Sequence, residues 1–483
     1  MSYARPIRAP AAPGAYRTPP AMNKPVEPTD MDSLVELDRE HVWHHLSPHR
    51  AIAAREKDPL VITRGEGMRV WDQNGKEHLD AVSGAVWTVN LGYGRERIAN
   101  AVRDQLVEMC YFAGSAGNLP GIRYAERLIS KMPGMSRVYY CNSGTEANEK
   151  AFKMVRQISA KDGGRKHKIL YRDLDYHGSS IGVLSACGQG ERRAQYGPFV
   201  PGFVEVPHVS RYRSRFGDDP DFGVKAAREI ESIIEREGPD TVGALCIEPI
   251  TAGGGAILPP EGYLETVEEV CRRHGVLLHI DEVVCGLGRT GKWFGYQHYG
   301  IRPDIVTLAK GVASGYAAIA VTVTTEAVFD RFREDDDPMG YFRDISTFGG
   351  CAAGPAAALE TMDIIEEENL LENVTETGEY LMEKLRALQN RHESIGEVRG
   401  RGLFAGIELV VDRHTREPVH ESVPMAIAAD CMEQGVVIGR TNRSNLGGMN
   451  NVLLLAPALI ARPDDIDRIV DAIDGALGRV AMH

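Results

Sequence analysis

The feature that most constrains the fold is an alternation of short apolar runs with amphipathic segments beyond about residue 85. Residues 138–141 form an apolar run, and the apolar residues that follow them fall on one helical face. The same pairing recurs where the strand-like run 241–247 precedes helical spacing at 263–271. Further apolar runs follow at 276–280 and 305–308. This alternation predicts an α/β fold with a mostly parallel sheet and helices on both faces.

The pattern changes after about residue 345, where longer amphipathic segments precede the strand-like runs. Helical spacing at 356–367 and 373–389 is followed by apolar runs at 403–411 and 436–438. A last amphipathic helix is predicted to begin at Pro463. The predicted parts are an N-terminal segment that joins the small domain, a large domain and a small α+β domain, over residues 29–85, 86–344 and 345–483.

Composition excludes several classes of partner. The net charge of −13, without a long basic run, argues against nucleic acid. No uninterrupted apolar stretch reaches the roughly 20 residues that cross a bilayer. The eight cysteines are scattered without a CxxC pair, which favours reduced thiols in a cytoplasmic protein. Residues 1–28 carry seven prolines and four basic side chains. We expect a disordered extension there, because the prolines would break the amphipathic helix of a transit peptide.

Two residues at predicted strand ends can carry amine chemistry. Lys310 follows the run 305–308 and precedes Gly311, where the backbone is expected to turn. A half-buried lysine there is easily deprotonated and can attack an aldehyde, although an isolated lysine is more often a surface residue. Asp281 would point into the crevice at the carboxyl ends of parallel strands and could keep a pyridine nitrogen protonated. Capping of the next element is the alternative role for Asp281.

A third signal is the turn between the strand ending near residue 141 and the helix starting near Glu146. Amides at that helix start, together with the hydroxyls of Ser143 and Thr145, can bind a phosphate dianion. Simple capping of the helix by a hydroxyl is the alternative. By itself, therefore, this turn is a weak indication of function.

Two other patterns lack the context that their usual functions need. The sequence GLGRTG at 286–291 has the glycine spacing of a dinucleotide-binding turn, with Asp304 at a suitable distance. Because the aromatic, glycine-broken segment after it is a poor helix, we predict no dinucleotide site. Four histidines between residues 41 and 49 have helical spacing, but without a nearby cysteine ligand we predict a partly exposed helix rather than a metal site.

Six segments resemble the class III (omega) aminotransferases of the fold-type I pyridoxal-phosphate enzymes, in order and across nearly the whole chain beyond the extension. They are SGTEAN at 143–148, YHG at 176–178, IEP at 247–249, IDEV at 280–283, LAKG at 308–311 and STFG at 346–349. Other stretches resemble the branch of that family that transfers the amino group of taurine to pyruvate. These are HVWHH at 41–45, DAVSG at 80–84, VWTVN at 86–90, EMCYF at 108–112, QYGPF at 195–199 and YFRDIS at 341–346. The resemblance implies a fold-type I transferase fold and pyridoxal 5′-phosphate as the cofactor.

The resemblance also implies roles for the matched positions. Lys310 would bind the cofactor aldehyde as an imine and later move a proton between the substrate carbon and the cofactor. Asp281 would pair with the pyridinium nitrogen, supported by Glu248. Tyr176 would stack on one face of the ring and Val283 would pack against the other. The remaining implied contacts are phosphate binding by Gly144 and Thr145, helped by Thr347 of the opposite subunit, and shaping of the substrate pocket by Trp87.

The substrate anion must be bound differently here from relatives that act on ornithine or 4-aminobutyrate. Those relatives have a glutamate shortly after the Glu-Pro motif and an arginine just before an Ala-Pro-Pro turn. Gly253 and Leu454 stand at these positions in this chain. The resemblance to pyruvate-using relatives implies Arg440 instead, or the nearby Arg443. A guanidinium binds a carboxylate or a sulfonate equally well, so neither arginine identifies the anion.

The expected reaction is a two-stage transamination that converts taurine into sulfoacetaldehyde and pyruvate into L-alanine. The alternatives are a β-alanine or other ω-amine donor with pyruvate, an aminomutase or decarboxylase on the same scaffold, and a non-catalytic binding protein. The last is disfavoured because both Lys310 and Asp281 are present. The expected partners are a small-molecule amino donor and pyruvate, without nucleic acid or membrane. We expect a homodimer with shared active sites, or a homotetramer of such dimers.

Overall fold

In the computed structural model, the described residues are 28–47, 49–214, 219–333, 337–441 and 450–482. Residues 1–27 of the predicted extension and Arg443 lie outside them. The chain divides into two compact units. The first ends at Thr63 and includes Asp72–Gly75, and the second comprises Arg64–Trp71 and Lys76–His483. The predicted domain bounds at residues 86 and 345 stay a prediction.

The α-helices of the described residues are numbered in chain order. They are α1 Pro28–His41, α2 Arg50–Ala53, α3 Glu96–Glu108, α4 Leu119–Ser130, α5 Gly144–Lys161, α6 Ile181–Leu184, α7 Gly190–Arg193, α8 Phe222–Glu237, α9 Tyr263–His274, α10 Glu326–Arg333, α11 Ala353–Glu367, α12 Leu370–Arg391, α13 Ser422–Glu433 and α14 Pro463–Arg479. The predicted start of the last helix at Pro463 is confirmed. None of the described helices is both long and apolar enough to cross a bilayer.

The strands are numbered in the same way. They are β1 Ile62–Glu66, β2 Arg69–Asp72, β3 Glu77–Asp80, β4 Met135–Cys141, β5 Lys168–Arg172, β6 Phe203–Val206, β7 Val242–Ile247, β8 Leu277–Asp281, β9 Ile305–Leu308, β10 Ala320–Thr325, β11 Ile395–Gly400, β12 Ala405–Asp412, β13 Glu417–Pro418, β14 Val436–Val437, β15 Gly439–Arg440 and β16 Val452–Leu455.

The largest sheet of the second unit has seven strands in the order β4-β10-β9-β8-β7-β5-β6. Within the run β9-β8-β7-β5-β6, each pair of neighbouring strands is parallel. All six residues of β7 are buried, as expected for a strand that is covered on both faces. The predicted α/β fold with a mostly parallel sheet is confirmed. The sequence pattern did not reveal β10, which runs antiparallel to both β4 and β9.

Two smaller groups of strands complete the second unit. One sheet has the order β11-β12-β16-β15, with β13 paired to β12. In the other group, β3 pairs with β14 in parallel at Leu79 and Val436, and with β2 in antiparallel orientation. A strand from the N-terminal part of the chain and one from its C-terminal part therefore share a sheet.

Candidate active site

The site is built where two neighbouring parallel strands end. Asp281 is the last residue of β8, and its register partner on β9 is Thr307. Lys310 lies three residues beyond Thr307, at the start of a short 3₁₀ turn, with a φ of +49°. This left-handed backbone turns the chain sharply after β9. The two residues that the sequence singled out for amine chemistry are therefore brought to the same edge of the sheet, as ligand-binding residues of α/β proteins are.

The Asp281 carboxylate is buried and accepts hydrogen bonds at both oxygens. Oδ2 is 2.8 Å from Nδ2 of Asn148 and 2.8 Å from Nδ1 of His177, and Oδ1 accepts from the Val283 amide at 3.0 Å. Burial acts to raise the pKa of Asp281, but the hydrogen bond and charge of His177 and the Val283 amide outweigh it, so the pKa lies below its ordinary value. Asp281 is therefore an anion at neutral pH, as a partner of a protonated ring nitrogen must be.

A chain of buried hydrogen bonds orients Asn148 toward that carboxylate. The Thr307 hydroxyl donates to Oδ1 of Asn148 at 2.8 Å, which leaves the amide nitrogen to donate to Asp281 and to the His177 carbonyl. Behind Thr307, Nε2 of His279 lies 3.1 Å from the hydroxyl. Burial lowers the pKa of His279 to about 3, so its ring is neutral and Nε2 can carry the proton given to Thr307.

The amine of Lys310 has a different environment. Nζ lies 5.1 Å from the centre of the Trp87 ring and forms no hydrogen bond or ion pair with any residue that the structure describes. Burial lowers its pKa, while the charges of Asp281 and Glu248 act in the opposite direction. A lowered pKa increases the fraction of neutral amine at neutral pH, and only the neutral amine can attack an aldehyde.

The start of α5 supplies the predicted anion-binding turn. Ser143 caps the helix, with its hydroxyl accepting from the Glu146 amide at 3.2 Å, so capping accounts for that side chain. The hydroxyl of Thr145 accepts from the Ser179 amide at 3.2 Å, which joins this turn to the segment after Tyr176. The first-turn amides of an α-helix have no acceptor within the helix and remain available for an anion.

The backbone at Gly144 lies close to two neighbours of the reactive residues. A Cβ atom there would lie 3.0 Å from the Val283 side chain and 3.7 Å from Ala309. Val283 follows Asp281 by two residues, and Ala309 precedes Lys310. The helix start, the end of β8 and the end of β9 thus meet around one space.

Glu248 holds the backbone of the segment that carries Tyr176. Its Oε1 accepts from the Tyr176 amide and its Oε2 from the Ala252 amide, each at 2.8 Å. Burial raises the pKa of Glu248 well above its ordinary value, and the charge of Asp175 adds to this. Glu248 thus fixes the position of the Tyr176 ring through the main chain.

The remaining predicted site residues have fewer contacts that relate them to Lys310 and Asp281. Trp87 packs edge-on against Phe404, with ring centres 6.0 Å apart. Arg440, half-buried on β15, makes a 3.4 Å hydrogen bond to the Thr441 carbonyl and no ion pair with a described residue. Thr347 is exposed at the start of a 3₁₀ turn. Arg443 lies outside the described residues, so its predicted role stays a prediction.

Sequence reasoning missed the residues behind Asp281, although one signal was present. Asn148 is fully buried on the apolar face of α5, beside Ala147 and Ala151. A buried amide needs hydrogen-bond partners, so an asparagine within an apolar stripe indicates a polar network. Nothing in the sequence identifies Thr307 or His177 as its partners, because they come from other elements.

The described residues fit the cofactor that the sequence resemblance implies. The half-buried amine of Lys310, which has no ion-pair partner among the described residues, suits the aldehyde of pyridoxal phosphate. The buried, hydrogen-bonded carboxylate of Asp281 suits its ring nitrogen. The turn at Gly144 and Thr145 suits its phosphate. Among the described ranges, no three His, Cys, Asp or Glu side chains are grouped so that they could hold a metal ion.

Comparison with known proteins identifies aminotransferases as the relatives of this chain. A family model described as "Aminotransferase class-III" matches residues 52–477. The chain is 60% identical to the hypotaurine/taurine–pyruvate aminotransferase of Paracoccus denitrificans over 95% of this chain and 100% of that protein. It is also 60% identical to the taurine–pyruvate aminotransferase of Rhodobacter capsulatus, over 94% and 98% of the two chains.

Solved structures resemble the fold as a whole. A Bacillus anthracis aminotransferase superimposes with a TM-score of 0.89 at 37% identity, covering 93% of this chain and 99% of that one. The omega transaminase of Pseudomonas jessenii in complex with PMP gives a TM-score of 0.87 at 33% identity, covering 92% and 97%.

Proposed function

The chain belongs to the class-III aminotransferases, and we propose that it transfers the amino group of taurine to pyruvate with pyridoxal 5′-phosphate as cofactor. The products are sulfoacetaldehyde and L-alanine. The observation that carries the proposal is the position of two groups at adjacent strand ends. One is the half-buried amine of Lys310, which has no ion-pair partner among the described residues, and the other is the buried carboxylate anion of Asp281. The choice of substrates is supported by the names of relatives that are 60% identical over nearly their whole length.

Each residue has a definite task in this proposal. The bound cofactor supplies an electron sink for the carbon that loses its proton. Lys310, as a neutral amine, would hold the cofactor through its aldehyde and would move the proton of the substrate carbon. Asp281, held by Asn148 and His177, keeps the ring nitrogen protonated. Tyr176 and Val283 would hold the ring. The turn formed by Ser143, Gly144 and Thr145 binds the phosphate, while Glu248 positions the Tyr176 segment.

A donor panel with pyruvate as acceptor tests the choice of substrate. We expect taurine or hypotaurine to exceed β-alanine and 4-aminobutyrate in kcat/KM by at least about tenfold, a size typical of discrimination by one pocket contact. Alanine formation is the measurement, and reactions without pyruvate are the control. A higher kcat/KM with β-alanine than with taurine would identify β-alanine as the donor. Product formation without any keto acid would favour the aminomutase or decarboxylase alternative.

We propose Arg440 as the cation that binds the substrate anion. No arginine stands at Leu454, which is buried on β16, and a side chain at Gly253 would meet Nε2 of Gln189 at 2.6 Å. The glutamate–arginine pair of other relatives is therefore replaced by a different arrangement. Arg440 has no ion-pair partner within the described part of the chain, and a guanidinium can bind a sulfonate or a carboxylate.

Replacing Arg440 by leucine is expected to raise KM for both taurine and pyruvate by about 10- to 100-fold, because one charged hydrogen-bonding partner is lost. Arg440→Lys keeps the charge without the planar fork and is expected to have a smaller effect. The exposed Arg103, changed to leucine, is the control for loss of a cation. Unchanged KM values in Arg440→Leu would assign the anion to another residue, with Arg443 the next to test.

We also propose a homodimer whose partner subunit supplies Thr347 to the phosphate. Exposed aromatic side chains lie on two adjoining segments: Tyr111 and Phe112 are 40% and 59% exposed, and Phe348 is 67% exposed. The segments are joined by a bridge between Tyr111 and Cys351 and by a hydrogen bond from the Phe112 amide to the Gly350 carbonyl. Exposed apolar patches of this kind mark contact surfaces between proteins.

Light scattering on the purified protein is expected to give about twice the monomer mass, or four times if dimers pair. Phe348→Asp should shift the population toward monomer and lower activity per chain, because a charge is placed in an apolar contact. Met425→Asp, at an exposed position on α13, is the matched control. A fully active monomer would show that Thr347 is not shared between subunits.

A further inference from the structure

The segment that carries Trp87 has an unusual backbone. Ser83, Ala85 and Trp87 have φ values of +50°, +63° and +63°, a region that residues other than glycine rarely adopt. Such a conformation persists only where the surroundings impose it, and these positions cluster at functional sites. The segment 83–90, here called the Trp87 loop, must therefore be held by specific contacts.

One end of the Trp87 loop is fixed by a buried carboxylate. Asp80 accepts hydrogen bonds from the Val82 amide at 2.8 Å, the Gly84 amide at 2.5 Å and the Tyr93 hydroxyl at 2.7 Å. The Ser83 hydroxyl donates to the Ala456 carbonyl at 2.6 Å. These contacts fix the first residues of the loop but do not reach its other end at Asn90.

Both ends of the Trp87 loop meet at the guanidinium of Arg289. Its Nη2 donates to the Ser83 hydroxyl at 3.1 Å and to Oδ1 of Asn90 at 2.6 Å. Its Nη1 donates to the carbonyls of Leu403, at 3.1 Å, and Pro457. The side chain is fully buried and its four acceptors carry no net charge. Arg289 lies within the glycine-rich turn 286–291, which has no assigned role in the proposed transamination.

The residues that Arg289 contacts lie next to residues that surround Lys310. Leu403 precedes Phe404, the aromatic residue against which Trp87 packs. Trp87 also lies near Lys310, whose Nζ is 5.1 Å from the centre of the Trp87 ring. Asn90 packs so closely on the residue after Lys310 that a Cβ at Gly311 would lie 2.3 Å from its amide nitrogen. The buried guanidinium of Arg289 thus links the Trp87 loop to the residue before Phe404 and, through Asn90, to the turn that begins at Lys310.

We propose that Arg289 is a positioning residue that holds the Trp87 loop over Lys310 and so sets the shape of the amino-donor pocket. The proposal rests on the proposed function only in that Trp87 lines the pocket of the donor. A lysine cannot reproduce the contacts, because its single ammonium group cannot span four acceptors that a planar fork reaches. Burial lowers the pKa of Arg289 to about 10, and it therefore stays charged at neutral pH.

Hydrogen exchange of the holoenzyme tests the structural part without any substrate. In Arg289→Lys, amides of the Trp87 loop should exchange at least about tenfold faster, the effect expected when roughly one hydrogen bond is lost. Amides of α9 should be unchanged. The matched control is Arg302→Lys, at an arginine whose side chain is 85% exposed. Equal acceleration throughout the chain, or no change in the loop, would overturn the proposal.

A double-mutant cycle tests whether Arg289 acts through Trp87. Arg289→Lys should lower kcat/KM for the best donor about tenfold in the otherwise unchanged enzyme, but less than about twofold in a Trp87→Ala background. Equal losses in both backgrounds would overturn the proposal. If taurine is not the donor, the exchange result still stands and only the proposed function fails.

A second variant covers the case in which Arg289→Lys does not fold. Ser83→Ala removes one acceptor of Arg289, together with the hydrogen bond from Ser83 to the Ala456 carbonyl, and leaves the other three acceptors in place. It should accelerate exchange in the Trp87 loop in the same direction and to a smaller extent. Unaltered exchange of the loop in Ser83→Ala would overturn the proposal in that case.

Discussion

Replacing Lys310 by alanine is expected to lower kcat/KM with every amino donor by at least about 10³-fold, because covalent attachment and proton transfer are lost together. The amine is half-buried, has no hydrogen-bond or ion-pair partner among the described residues and has a lowered pKa. These features favour the neutral, nucleophilic form over the charged form of an ordinary lysine. The residual rate should come from the binding groups that remain.

The same variant separates a chemical role from a structural one. Borohydride treatment should fix the cofactor to the unchanged protein by reducing the imine, and mass spectrometry should detect no such adduct in Lys310→Ala. Lys225→Ala, at a half-exposed lysine paired with Asp219, is the control and should retain both activity and adduct. Normal turnover by Lys310→Ala would remove the central residue of the proposed mechanism.

Much of this site could be predicted from the sequence because its parts lie at the ends of recognisable strands. The apolar runs before Asp281 and Lys310 end where β8 and β9 end, and parallel neighbours bring those ends together. The direction of β10 could not be predicted, since an apolar run indicates a strand but not its orientation. The six residues of β10 therefore lie between β4 and β9 in an orientation that the sequence pattern does not specify.

The supporting contacts could not be predicted, for a related physical reason. Asn148 and Thr307 are 159 residues apart, and their hydrogen bond exists only after α5 packs on the sheet. Arg289 illustrates the same limit in another way. Its glycine-rich turn has the spacing of a dinucleotide-binding turn, and the sequence gives no sign that its guanidinium donates to the carbonyls of Leu403 and Pro457.

Asp281→Asn is expected to lower kcat by about 10²- to 10⁴-fold, the range found when a preorganised charge or proton-transfer group is removed. The substitution nearly preserves shape but removes the anion that keeps a ring nitrogen protonated. It also disturbs the hydrogen bonds, because Oδ2 of Asp281 accepts from both Asn148 and His177 in the unchanged protein. An amide nitrogen in that position would face two donors, whereas an amide oxygen there would place its NH₂ toward the Val283 amide.

Cofactor affinity and absorbance distinguish loss of charge from loss of fold in Asp281→Asn. We expect weaker retention of the cofactor on dialysis and a changed absorbance of the bound form, with an unchanged far-ultraviolet circular dichroism spectrum. Thr307→Val provides the graded comparison, since it removes only the hydroxyl that orients Asn148 and leaves the Asp281 charge in place. Its expected loss is about tenfold, the effect of one hydrogen bond. If Asp281→Asn retained full activity while Thr307→Val did not, the ring nitrogen would need no anion, and the buried network would serve only to pack α5 against the sheet.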